Sequence, residues 1–220
     1  VLAVDLSLNS LSYALRKTGE LNFSNIEYAQ ADIMEMGALE RRFDLIECVG
    51  VLHHLGEPLA GLGILVKLLR PGGLMLIGLY SQSARQDIVR ARALIVEKGY
   101  TTAPGDIRHC RQTIITRARN GDREMADICS SRDFFSLSNC RDMLFHVQER
   151  RFTLLQIETA LKALELRFLG FEIRDQRTLR KFKKSHPSRH AGTSLALWHQ
   201  FELKNPGTFR GMYQFWCRKM

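Results

Sequence analysis

Two carboxylates sit where short apolar runs end: Asp5 closes VLAVD and Asp32 follows NIEYAQA. Ligands of open α/β sheets bind beyond the carboxyl ends of the strands, so acids at those tips are candidate ligand-holding groups. Asp5 can accept hydrogen bonds from both hydroxyls of a ribose. Asp32, with Ile33 beside it, can meet the amine edge and one face of an adenine. Each alone is equally an ordinary turn or capping aspartate. Two of them, one helix apart, point to an adenosine-containing ligand.

His53 and His54 form the next chemical feature, in GVLHHL. Adjacent imidazoles point apart in helix and strand alike, and no third ligand lies close in sequence, so no metal is expected there. One is expected to pack under a helix while the other faces a cleft. His53 is a candidate general base or acceptor-positioning group, and His146 and Tyr80 are further cleft candidates.

The elements that must position these groups alternate. Apolar or β-branched runs (VLAVDL, NIEYAQ, FDLIECVGVL, GLMLIGLY, LRFLGFEI) are separated by segments of helical spacing, which predicts an α/β fold with a parallel sheet flanked by helices. Ser7 caps a first helix carrying Leu8, Leu11 and Leu15 on one face, with Gly19 as its stop. Pro58 starts a helix that Pro71-Gly72-Gly73 ends. Ser83 with Gln86, and Thr153 with Gln156, read as capping boxes, and Asp106 as the cap of a helix turning Ile107, Cys110 and Ile114 inward. A helix near Thr193 to Leu203, a turn at NPGTF and a last strand MYQFWC close the chain. The chain is expected to be one domain. Residues 1–80 form its ligand-binding core, 81–150 a helical insert or cap, and 151–220 the helices and strands completing the sheet.

The 220 residues carry 45% hydrophobic and 25% charged side chains, an ordinary globular balance that excludes a disordered or fibrous chain. Net charge is +9, with a dense run between Arg174 and Arg189. Because that run lies outside the chemical motifs, nucleic acid is a less favoured partner than a small molecule. Five irregularly spaced cysteines give neither a disulfide framework nor a zinc site and accord with a cytoplasmic setting. The longest apolar stretch, Leu59 to Val66, is too short to span a membrane.

FDLIECVGVLHHLGEP followed within one helix by LLRPGGLMLIGLY resembles class I S-adenosylmethionine-dependent methyltransferases, particularly the UbiE-like branch. The likeness is strong over about residues 1–80 and looser over DMLFHVQERRFTLLQIETALKALELRFLGFEI, a stretch similar to the segment shaping the acceptor pocket. The resemblance implies a Rossmann-like sheet and S-adenosyl-L-methionine as cofactor. Asp5 would hold the ribose diol with Leu6 beside the adenine, Asp32 and Ile33 would hold the adenine, and Val49 and Gly50 would line the methionine end. LFHVQERRFT and GMYQFW resemble methyltransferase domains attached behind tetratricopeptide repeats in bacteria.

The family's first strand and glycine-rich loop are absent from these residues; they would lie upstream of Val1, with that strand between those beginning at Val1 and Phe43. Two unpaired edges in the protein centre are therefore expected, each buried unsatisfied group costing about 1–3 kcal/mol, with a fragment that is unstable or inactive by itself. The expected reaction is methyl transfer to a small-molecule acceptor. RNA or protein as acceptor, a nicotinamide-dependent reductase, and a non-enzymatic binding module are the alternatives.

Overall fold

In the computed structural model, which describes residues 1–220, the predicted alternation becomes seven strands and nine helices. β1 (Leu2–Asp5), α1 (Leu8–Glu20), β2 (Glu27–Gln30), β3 (Phe43–Val49), α2 (Pro58–Leu68) and β4 (Leu69–Ser81) come first. Four helices follow: α3 (Gln86–Lys98), α4 (Pro104–Arg119), α5 (Arg123–Cys129) and α6 (Leu137–Phe145). The chain ends with β5 (Arg151–Phe152), α7 (Leu154–Ala163), β6 (Leu166–Phe171), α8 (Gln176–Ser185), α9 (Leu195–Lys204) and β7 (Tyr213–Lys219).

The strands form two sheets. β1 pairs only with β2, in parallel, while the second sheet runs β3-β4-β7-β6 with β5 added to β4. β1 and β3 thus each keep one unpaired edge. The sheet is mixed where the alternation predicted a parallel one: β7 runs antiparallel to both β4 and β6. Apolar content reports that a strand is buried, not which way it runs, so Tyr213, Phe215 and Cys217, all fully buried, left the direction open.

The unpaired edges differ from expectation in one respect. Leu45 and Val49 of β3 are 48% and 37% exposed, and Leu11 is the only buried residue before Cys48. Apolar surface is therefore left uncovered at this edge, which is unfavourable in water. Leu8 and Leu15 show the same thing: they share the helix face of Leu11 yet stand 60% and 59% exposed. Amides of β1, α1 and β2 in residues 1–220 are expected to exchange hydrogen at least tenfold faster than those of β4 and β7; equal protection across both sheets would contradict this.

Two apolar clusters organise the rest. One of 22 residues joins Cys48, α2, β4, α7 and the elements from β6 to β7; the other, of 12 residues from Ile88 to Leu144, lies wholly within α3–α6. Ser7 and Thr153 cap as expected, the latter in a full capping box with Gln156. Ser83 does not cap α3, whose N-terminal flank is Arg85, and Asp106 lies inside α4, where it instead accepts hydrogen bonds from Thr101. Pro71-Gly72-Gly73 falls within β4, because α2 already ends at Leu68.

Candidate cofactor and acceptor site

The register of β1 on β2 sets Asp5 opposite Gln30, so the chain reaches Asp32 just beyond the same end of this sheet. Asp5 Oδ1 accepts the Ser7 amide at 2.8 Å, and Asp32 Oδ1 accepts the Met34 amide at 2.9 Å while capping a 3-10 turn over Ile33–Ala38. Both acids thus serve as turn residues, and each keeps its second oxygen without a protein partner. A diol and an exocyclic amine donate hydrogen bonds, so this pair of carboxylate acceptors fits an adenosyl group. Leu6 is 67% exposed beside Asp5, and Ile33 is half-buried against the larger core.

Val49 and Gly50 lie at the end of β3, on the other sheet. Gly50 has φ +84°, a left-handed conformation that favours glycine. Behind it, a Cβ on Gly78 would stand 2.7 Å from both Met212 Sδ and Val49 Cγ1, so the close contact of β3 with β4 requires glycine there.

Next to this loop lies a chain of stacked groups. His53 is fully buried, its ring 3.7 Å from that of Tyr80, and the Arg85 guanidinium lies 3.6 Å from the Tyr80 centroid. Arg85 forks onto Glu149 at 2.6 and 3.1 Å, Arg92 stands 3.7 Å from the same carboxylate, and Arg92 also donates to the His146 carbonyl. His146 in turn stacks on His54 at 3.8 Å, and His54 Nδ1 lies 3.0 Å from the Gln148 carbonyl. His53, His54 and His146 are therefore brought together, whereas Asp5 and Asp32 stand at the end of the other sheet.

Neither ring nitrogen of His53 has a hydrogen-bond partner. Burial pushes its imidazole down to about 3, with His54 and Arg85 adding repulsion; a backbone contact at Gly78 opposes this without reaching hydrogen-bond geometry. A folded-state value below the ordinary 6.5 contributes stability above that pH and loses it as pH falls toward 3. His53→Phe keeps the stacking and removes two orphaned nitrogens. It is expected to raise the melting midpoint by about 2–10 °C and to blunt the loss of stability between those pH values. An unchanged acid profile by calorimetry would refute that role.

A cleft of 850 Å³ opens between the α3–α6 unit and the strands, reached by Tyr80, the Glu172–Asp175 segment and the Phe209–Met212 approach to β7. Six carboxylates line it against three arginines. Of the arginines, Arg85 is held by Glu149, and Arg210 bridges Asp87 and Asp127 at 3.2 Å each. Arg174, Asp133, Asp142, Glu172 and Asp175 also line the cleft, none of them in an ion pair. Sequence reasoning found Tyr80 and the Asp142–His146 segment but missed Arg85, Arg92, Glu149 and Arg210, whose partners lie far along the chain.

Residues 1–77 match the family described as a methyltransferase domain. That match covers about a third of the chain, and the fold as a whole is Rossmann-like. An uncharacterized protein of Synechococcus sp. is 29% identical over 216 residues, covering 92% of this chain and 50% of the relative. Phosphoethanolamine N-methyltransferase 1 of Arabidopsis thaliana is 30% identical over 100 residues, 46% of this chain and 20% of the relative. The chain thus spans half the length of the first relative and a fifth of the second. The structure of PKMT2 from Rickettsia typhi in complex with AdoHcy superposes on 99% of this chain and 43% of that one, with a TM-score of 0.72 at 15% identity, a likeness of fold. No helix is long and apolar enough to cross a membrane.

Proposed function

We propose that the protein containing this chain transfers a methyl group from S-adenosylmethionine to a small-molecule acceptor bound in the cleft beside Tyr80. The observation that carries this reading is the pair of carboxylates, Asp5 and Asp32, each with a free oxygen at neighbouring strand ends. When bound, S-adenosylmethionine supplies an electrophilic methyl group on a sulfonium. Asp5 accepts the ribose hydroxyls with Leu6 alongside, Asp32 and Ile33 hold the adenine, and Val49 and Gly50 line the methionine end.

In-line displacement asks the protein chiefly for alignment and, for a protonated nucleophile, removal of a proton. The α3–α6 unit acts as the cap that keeps water from the acceptor. His53, held neutral by burial, positions Tyr80 from beneath, and His146 sets the other end of the histidine stack. The surplus of carboxylates in the cleft favours an amine or another cationic acceptor over an anionic one. The five cysteines are all free, which supports a cytoplasmic setting.

The test is to incubate full-length protein with methyl-labelled S-adenosylmethionine and a cell extract separated into small-molecule, RNA and protein fractions. Label in the small-molecule fraction is expected. Label confined to RNA or protein would replace this acceptor class with one of the alternatives.

A further inference from the structure

The run from Arg174 to Arg189 folds around α8 and holds seven arginines and lysines against one acid, Asp175. That acid is occupied: it caps α8, accepting from the Arg177 and Thr178 amides at 3.0 and 3.2 Å. None of the seven cations takes part in an ion pair; the ion pairs of the chain lie elsewhere.

Their spacing is regular. Arg177, Arg180, Lys181 and Lys184 fall at i, i+3, i+4 and i+7, so they form one stripe about 10 Å long on a helix rising about 1.5 Å per residue. The opposite face is spent inside the protein. Phe182 is fully buried and stacked on Trp198 at 3.5 Å, and Leu179 packs on the larger core. All four stripe residues are exposed.

Such a stripe works against the helix that carries it. Like charges at these spacings repel, and Arg177 lies in the first turn, at the positive end of the helix dipole. Only Lys183 and Lys184, in the last turn, gain from the dipole. A polyanion would reverse the balance.

We propose that this face of α8 is a docking surface for the phosphodiester backbone of a nucleic acid. An anionic membrane is a poorer match, because α8 has no apolar face left to insert. An acidic protein is poorer too, since no large exposed apolar or aromatic side chain lies between Arg174 and His190 to anchor it. Guanidinium groups suit phosphate, which they grip in a bidentate fork. The acidic cleft begins at Asp175, next to the helix, and repels phosphate, so α8 is a docking site separate from the proposed acceptor pocket.

The test uses full-length protein and fluorescence anisotropy with labelled oligouridylate and oligothymidylate over a salt series. Phosphatidylserine vesicles and polyglutamate serve as the other polyanions. Binding to either oligonucleotide is expected, and the preferred one names the source. Each neutralised phosphate adds about 0.7 to the slope of log affinity against log salt, so the R177Q/R180Q/K181Q/K184Q variant should lower that slope by about 3. Its melting midpoint should not fall, because none of the four side chains is buried. The proposal is overturned if neither oligonucleotide binds, if the variant binds them with the parent's affinity and slope, or if vesicles or polyglutamate bind more tightly than both.

Discussion

Asp5→Asn in the full-length protein is expected to weaken S-adenosylhomocysteine binding by about ten- to a hundredfold, and Asp32→Asn by a similar factor. Hydrogen bonds to a charged acceptor contribute about 1.5–3 kcal/mol, and each 1.4 kcal/mol is tenfold in affinity. Asparagine is the informative replacement because its amide oxygen can still accept the Ser7 or Met34 amide, so both turns survive. Titration calorimetry measures the loss, and an unchanged melting curve without ligand shows that the fold is intact. Affinity within twofold of the parent for both variants would remove these carboxylates from the cofactor site.

The second large effect concerns the ion pair of Glu149 with Arg85, whose side chains are 2% and 8% exposed. Glu149→Ala leaves the Arg85 guanidinium buried over Tyr80 with its counter-charge gone, and it strips Arg92 of the same partner. Breaking a buried pair from one side costs about 3–5 kcal/mol. For a chain of this size that lowers the melting midpoint by roughly 6–20 °C. Replacing both partners by apolar residues, R85M with E149L, is expected to recover much of the loss, because no uncompensated charge remains. Equal melting midpoints for the single variant and the parent would show that Glu149 does not hold this junction together.

Local chemistry was legible in the residues because its signals are short-range. Ser7 and Thr153 bound their helices where cap chemistry put them, and Asp5 and Asp32 stand at strand ends as the apolar runs implied. Ser83 and Asp106 misled because each carried the right side chain while the actual helix start was fixed elsewhere: Pro104 begins α4 with its preset φ.

Long-range pairings had no such signature. Glu202, fully buried, accepts from Ser81 Oγ at 2.6 Å and from Tyr213 Oη at 2.7 and 2.8 Å; burial raises its carboxyl above the usual range. Those three residues lie on β4, α9 and β7, and nothing in their neighbourhoods announces the contact. The same holds for Arg85 with Glu149 and for Arg210, which ties the approach to β7 to α3 and α5. The run at Arg174–Arg189 was readable as charge, but its division into a basic stripe and a buried Phe182 face came only with the helix.

The strand-tip assignment is tested most directly by a crystal structure of the full-length protein with S-adenosylhomocysteine. The ribose hydroxyls should lie within hydrogen-bonding distance of Asp5, with the adenine between Leu6 and Ile33 and its amine at Asp32. A ligand bound away from both carboxylates, or seated only in the cleft beside Tyr80, would contradict the account.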